Sequence, residues 1–186
     1  MIRSGRLLAV LLIALLAFVS ACSSRGSSED EFNPESMIGS AAPTLQGSDL
    51  TGTGINDLAD LSGKPTAVYF WLNTCPHCQD GIVDLMAAWP DMADRFNILS
   101  VGMAHPDLAG DPGFETVEAF VTSTGLTFPT VEFTWAQAQA DWDMNQVPMV
   151  YILDPDQVIV AVVSGGNVIR VRDALEAEAA LCCMVP

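Results

Sequence analysis

Basic residues are scarce in this chain. Seven Lys and Arg stand against 23 Asp and Glu among 186 residues, a formal net charge of −16. A surface of that sign repels phosphate backbones and anionic headgroups, which excludes nucleic acid and a polybasic membrane contact as binding modes. Histidine is scarcer still, with His77 and His105 alone, so a histidine-rich metal centre is excluded. No apolar run reaches the roughly 18 residues that a membrane-spanning helix needs. The longest, Leu7 to Val19, has 13. There is no internal repeat. Half of the residues are hydrophobic, which excludes a disordered chain and fits a globular one.

The apolar run has a specific setting. Arg3 and Arg6 precede it, and it ends in Val19-Ser20-Ala21-Cys22. A positive start, a short apolar core and small residues form the pattern of an export signal. The ending resembles the bacterial lipobox, which implies cleavage before Cys22 and a diacylglycerol on its thiol. Ordinary cleavage beside an incidental cysteine is the plainer alternative. Two or three acyl chains anchor a protein stably where one does not. The two arginines are not adjacent, so a twin-arginine signal is not supported. Without the leader, 5 basic residues face 23 acidic ones. That surface serves solubility or a saline habitat, and lipid rather than charge is the expected anchor.

Ser23 to Ser36 is rich in Ser, Glu and Asp and reads as a solvated tether. The expected organisation is a lipoprotein signal peptide over 1–21, a lipid-anchored flexible linker over 22–41, and one domain over 42–186. Within the domain, Gly52 and Gly54 lie between short extended pieces from Leu50 to Asp57, the pattern of a hairpin. Thr66 to Leu72 (T-A-V-Y-F-W-L) is β-branched and aromatic, as in a buried strand. Ile82, Leu85, Met86 and Trp89 recur on one helical face, with Pro90 to end or kink it. Asn97 to Gly102 is a second strand and Phe114 to Thr124 a helix. Ala136 to Trp142 is a short helix. Val150 to Leu153 and Gln157 to Val163 form an antiparallel pair about Asp154-Pro155-Asp156. Asn167 caps a last helix running to about Leu181. The order β-α-β-α-β-β-α makes the fold class α/β, a central mixed sheet flanked by helices with an N-terminal hairpin extension.

Five cysteines are present. With Cys22 lipidated, Cys75, Cys78, Cys182 and Cys183 remain, an even number that permits disulfides outside the cytosol. Cys75-Pro76-His77-Cys78 sits between the first strand and its helix. A helix N-terminus offers free N–H groups and partial positive charge, both of which stabilise a thiolate. Cys75 is therefore expected to be the exposed nucleophile. Cys78, one turn on, can attack a mixed disulfide. Pro76 occupies the first helical position, where its missing N–H costs little. His77, if protonated, favours the Cys75 thiolate and a more oxidising disulfide; it can equally be a solvent-facing side chain of little effect. A zinc site would want further ligands at metal spacing, and Cys182-Cys183 is vicinal while His105 is isolated. A structural disulfide would not need a helix N-terminus. Cys182-Cys183 stays open between a peripheral pair, a vicinal disulfide, an auxiliary dithiol and a bridge to another chain.

On these residues the segment from Ala42 to about Gly166 resembles the TlpA/ResA-like branch of the thioredoxin superfamily. Ala42-Pro43 looks like its opening motif, and Leu61-Ser62-Gly63-Lys64-Pro65 like the lead into its first central strand. Phe70-Trp71 precedes the cysteine motif at the family spacing. Phe128-Pro129, Val147-Pro148, Asp154-Pro155-Asp156 and Gly165-Gly166 follow in the family order. The resemblance implies a thioredoxin fold, a cis Pro148 facing the dithiol, and a Val147 backbone that pairs with an incoming substrate strand. It also marks departures. Gly81 stands where the family often has an acid, and Tyr69 where thioredoxin has a buried Asp. Asp84 falls on the wrong helical phase to replace either. The Pro-His dipeptide is that of DsbA-type oxidases, whose helical insertion is not expected in a chain of this length.

The resulting expectation is an extracytoplasmic thiol–disulfide oxidoreductase, lipid-anchored on the outer face of the cell membrane. It would exchange disulfides with exported proteins, as a reductant such as one serving cytochrome c maturation, with a membrane redox donor or acceptor. No cofactor and no metal are expected. The alternatives are an oxidase or isomerase of exported proteins, a metal-binding lipoprotein, and a peroxiredoxin-like peroxidase. The last would want Thr where Leu72 stands, three residues before Cys75.

Overall fold

A computed structural model describes residues 32–108 and 116–182. Cys22, the signal segment 1–21 and Cys183 lie outside the described residues, as does the side chain of Cys182. Six strands form one sheet: β1 (Ser48–Asp49), β2 (Thr66–Leu72), β3 (Asn97–Met103), β4 (Thr130–Phe133), β5 (Met149–Leu153) and β6 (Ile159–Ser164). Their spatial order is β1-β4-β3-β2-β5-β6. β2, β3 and β4 run parallel, while β5 pairs antiparallel with both β2 and β6. The helices are α1 (Pro76–Ala88), α2 (Val117–Thr124), α3 (Trp135–Trp142) and α4 (Val168–Cys182).

β2 is central, and all seven of its residues are buried. A strand covered on both faces must be apolar at every position rather than alternating, which is why T-A-V-Y-F-W-L carries no period of two. Ala67, Tyr69 and Trp71 face a core shared with Cys78, Ile82 and Leu85 of α1 and with Val171 and Leu175 of α4. Val68, Phe70 and Leu72 face a second core with Leu45, Leu58, Trp142 and Tyr151. The Trp71 indole N–H donates to Ser100 Oγ at 2.8 Å, which satisfies the one polar atom of that buried ring.

Three differences from the sequence expectation have physical causes. β4 adds a strand to the expected order. It holds only four residues, one of them the exposed Glu132, too few to display a period. The expected hairpin over Leu50 to Asp57 is a loop closed by the single bridge Gln46↔Asp57. Its turn wraps the Asp49 carboxylate, which accepts N–H bonds from Thr51, Gly52 and Gly54, while Ser48 and Asp49 pair with β4. The last residues before Ala42 are attached to the domain. Pro34–Met37 forms a 3-10 turn, Gly39 N–H donates to Ile159 O, and Ile159 N–H donates to Ser40 O, covering the free edge of β6.

Candidate functional site

The cysteine motif stands where β2 hands over to α1. Cys75 is the N-cap, in extended conformation, and its Sγ accepts the N–H of Cys78 at 3.2 Å. Pro76 begins the helix. The cap places Cys75 half-buried, with Pro76 and His77 exposed, and Cys78 fully buried against the core. Cys75 and Cys78 are joined as a disulfide, Cα to Cα 5.2 Å. One sulfur is therefore reachable from solvent and the other is not. A thiolate must be reachable to attack a disulfide, so only the Cys75 sulfur meets that condition from solvent.

Beside the motif lies an open groove of about 410 Å³. His77, Asp80 and Asp84 of α1 form one wall, and Val147, Pro148 and the Gly165-Gly166 turn the other. The Val147–Pro148 peptide is cis. Pro148 is buried, and its carbonyl accepts the Gly165 N–H at 2.9 Å, tying the proline to the turn after β6. The sequence-expected residues Cys75, Pro76, His77, Cys78, Val147 and Pro148 thus converge at the C-terminal end of β2. Asp84 sits nearer the site than its helical phase indicated, since it lines the groove next to Gly81.

A contact that sequence reasoning missed lies under the groove. The Tyr69 hydroxyl, from β2, donates to the Cys78 carbonyl at 3.5 Å. A Cβ at Gly81 would collide with that hydroxyl, and one at Gly166 would lie 2.5 Å from it and 2.9 Å from Pro148 carbons. Burial, and then the Asp84 charge, hold the Tyr69 phenol well above its ordinary pKa. The departures at positions 69 and 81 are therefore one feature, a phenol filling the space that a glycine leaves. Nothing local in the sequence announces a contact between residues this far apart.

A family model described as the AhpC/TSA family matches residues 38–162. Thiol-disulfide oxidoreductase ResA of Bacillus subtilis (strain 168) is 28% identical over 135 residues, covering 68% of this chain and 67% of that protein. ResA of Geobacillus thermodenitrificans (strain NG80-2) is 27% identical over 129 residues, covering 69% and 70%. Among solved structures, a domain of a possible thiol-disulfide isomerase from Cytophaga hutchinsonii superposes with a TM-score of 0.60 at 26% identity, covering 78% of this chain and 96% of that one. The thioredoxin domain of a thiol-disulfide oxidoreductase from Bacteroides vulgatus gives 0.57 at 22% identity, covering 74% and 97%. The mixed sheet with its four helices is a thioredoxin fold.

Proposed function

The chain belongs to the AhpC/TSA family and is a thiol–disulfide oxidoreductase of the ResA type, and from that premise we propose that it reduces disulfides of exported proteins from the outer face of a membrane. A lipid on Cys22, exposed by removal of residues 1–21, holds it there, and the acidic tether that follows lets the domain reach its substrates. Apocytochrome c is a fitting substrate. A membrane redox donor returns the disulfide to the dithiol.

The observation that carries this reading is the unequal burial of the two sulfurs at a helix N-terminus beside an open groove. In the proposed cycle the Cys75 thiolate attacks a substrate disulfide, forming a mixed disulfide and releasing one substrate thiolate. Cys78 then attacks Cys75 Sγ, the Cys75–Cys78 bond forms, and the second substrate thiolate leaves. Two electrons pass from the protein to the substrate. The Val147 backbone pairs with the substrate strand, and Pro148, which has no N–H, leaves the approach to Cys75 open. The reductant direction is supported by the ResA resemblance. It is also supported by the connection from β3 to β4, where α2 has only eight residues and no helical domain is inserted among the described residues.

The test is substrate trapping. Cys78→Ala, reduced and mixed with a disulfide-bonded peptide, should hold that peptide on Cys75. Cys75→Ala should hold none and should lose insulin reduction. Insulin reduction retained by Cys75→Ala overturns the proposal. One observation favours a second direction: the exposed His77 between the sulfurs is the feature of an oxidase or isomerase, and dithiol oxidation faster than disulfide reduction would select it. A peroxidase role is disfavoured by Leu72, an apolar side chain where the attacking cysteine would want a hydroxyl. Rapid peroxide consumption by the reduced protein would restore it.

A further inference from the structure

Residues 33–41 read as tether in the sequence, yet they are fixed at both ends of their path. At one end, Gly39 N–H donates to Ile159 O and Ile159 N–H donates to Ser40 O, on the edge of β6. At the other, Asn33 N–H donates to Asp143 Oδ2 at 3.1 Å. Between them, Met37 packs against the core that holds Trp142, Met144 and Tyr151. A solvated tether needs none of these contacts. Protection of an edge accounts for residues 39–41. It does not account for Met37 or Asn33, which reach past that edge to the end of α3.

Asp143 is where the reach matters. It ends α3 with φ +45°, a left-handed conformation that is costly for a residue with a Cβ. Strained residues of this kind persist where their surroundings over-determine them. Two groups do so here. From the inside, the Tyr151 hydroxyl donates to the carbonyl of Trp142, the residue before. Burial, and then the Asp143 charge, raise the Tyr151 pKa, so the phenol stays a donor. From the outside, the Asn33 N–H engages the Asp143 carboxylate. Only Met144, Asn145 and Gln146 then separate Asp143 from Val147 and the cis Pro148. Met144 is buried, and Gln146 Nε2 donates to Ser164 Oγ at 3.2 Å. Val147 is half-buried against the same core as Met37. The direction in which the chain leaves Asp143 therefore sets where Val147 presents its backbone.

We propose that residues 33–41 are a strap that positions the substrate-binding loop, the Asn33–Asp143 hydrogen bond holding loop 143–147 in the conformation that presents Val147 to a substrate strand. Asn33 and Asp143 are positioning residues, and neither touches substrate. The proposal rests on the reading that the Val147 backbone pairs with substrate. Without the bond the loop samples other conformations, and apparent affinity for a polypeptide falls with the fraction that stays competent. Exchange at Cys75, carried by α1, is left intact.

The experiment measures reduction of a disulfide-bonded peptide by the full chain, with dithiothreitol as electron donor. It compares wild type, Asn33→Pro, Asp143→Gly and the double variant. Pro removes the N–H. Gly removes the carboxylate and suits a positive φ. Each single variant should raise KM about fivefold, the equivalent of one net hydrogen bond. The kcat and the rate on oxidised glutathione should not change. The double variant should match the singles, because both remove the same bond. Asp143→Asn keeps an acceptor and tolerates the left-handed region, so it should keep the wild-type KM. An unmoved KM in either single variant, effects that multiply in the double, or an Asn variant as impaired as the Gly one overturns the proposal. The Gly and Asn variants decide the matter if Asn33→Pro does not fold. A wrong reading of Val147 shows separately, since Pro148→Ala would then spare protein substrates as well.

Discussion

Replacing Gly166 by Ala separates backbone strain from crowding in one small experiment. Gly165 and Gly166 are adjacent, and both have positive φ, +87° and +58°. A residue with a Cβ in the left-handed region costs about 1–2 kcal/mol, so Gly165→Ala should lose roughly that much stability. Its Cβ would enter open space. At Gly166 the Cβ would lie 2.5 Å from the Tyr69 hydroxyl and 2.9 Å from Pro148 carbons. Overpacking of this kind costs about 1–3 kcal/mol. Gly166→Ala should therefore lose about 2–5 kcal/mol in total. Removing the hydroxyl relieves one of its contacts, so Gly166→Ala should cost about 1 kcal/mol less in a Tyr69→Phe background, a coupling normal for touching residues. Urea denaturation of the oxidised protein, followed by tryptophan fluorescence, gives all five stabilities. Equal losses at 165 and 166, or a coupling of zero, would refute the placement of Tyr69 under the groove.

Other expectations follow from the same geometry. Ser100→Ala leaves the buried Trp71 N–H without its acceptor and should cost about 1–3 kcal/mol in denaturation experiments, with disulfide exchange retained. His77→Ala, at an exposed position between the sulfurs, should make the dithiol more reducing by about 30 mV, one tenfold step in the exchange equilibrium; an unchanged potential would make His77 a bystander. Pro148→Ala adds an N–H beside the groove and should slow turnover of a protein disulfide more than that of a small one such as oxidised glutathione, read as initial rates on the two substrates.

Legibility of the chain in its sequence followed burial. β2 was readable to its exact ends because a central strand is apolar throughout. α1 was readable because Cys75, Pro76 and the Ile82 and Leu85 stripe supply cap, first turn and face. The convergence of Val147 and Pro148 on the cysteines came from the resemblance, since nothing local to that dipeptide points to a partner 70 residues away. β4 was absent from the order read from periodicity because four residues carry no period, and only the resemblance, through Phe128-Pro129, pointed to a strand there. The Leu50 to Asp57 glycines signalled a turn correctly. They could not say that an Asp49 carboxylate, rather than two paired strands, would organise it. Residues 39 to 41 have a linker's composition, and only the exposed edge of β6 explains why they are held. Tyr69 and Gly81 each looked like a loss when compared with the family pattern. The structure joins them in one contact, the Tyr69 hydroxyl lying where a side chain at position 81 would begin.

The reduction potential of the Cys75–Cys78 pair tests the central claim most directly. The chain with Cys182 and Cys183 replaced by serine is equilibrated in graded thiol–disulfide buffers, and the oxidised and reduced states of the Cys75–Cys78 pair are counted after alkylation. A reductant requires a single two-electron transition near that of thioredoxin, roughly −270 mV, abolished in Cys75→Ala. A transition near −120 mV, or one that survives in Cys75→Ala, would contradict it.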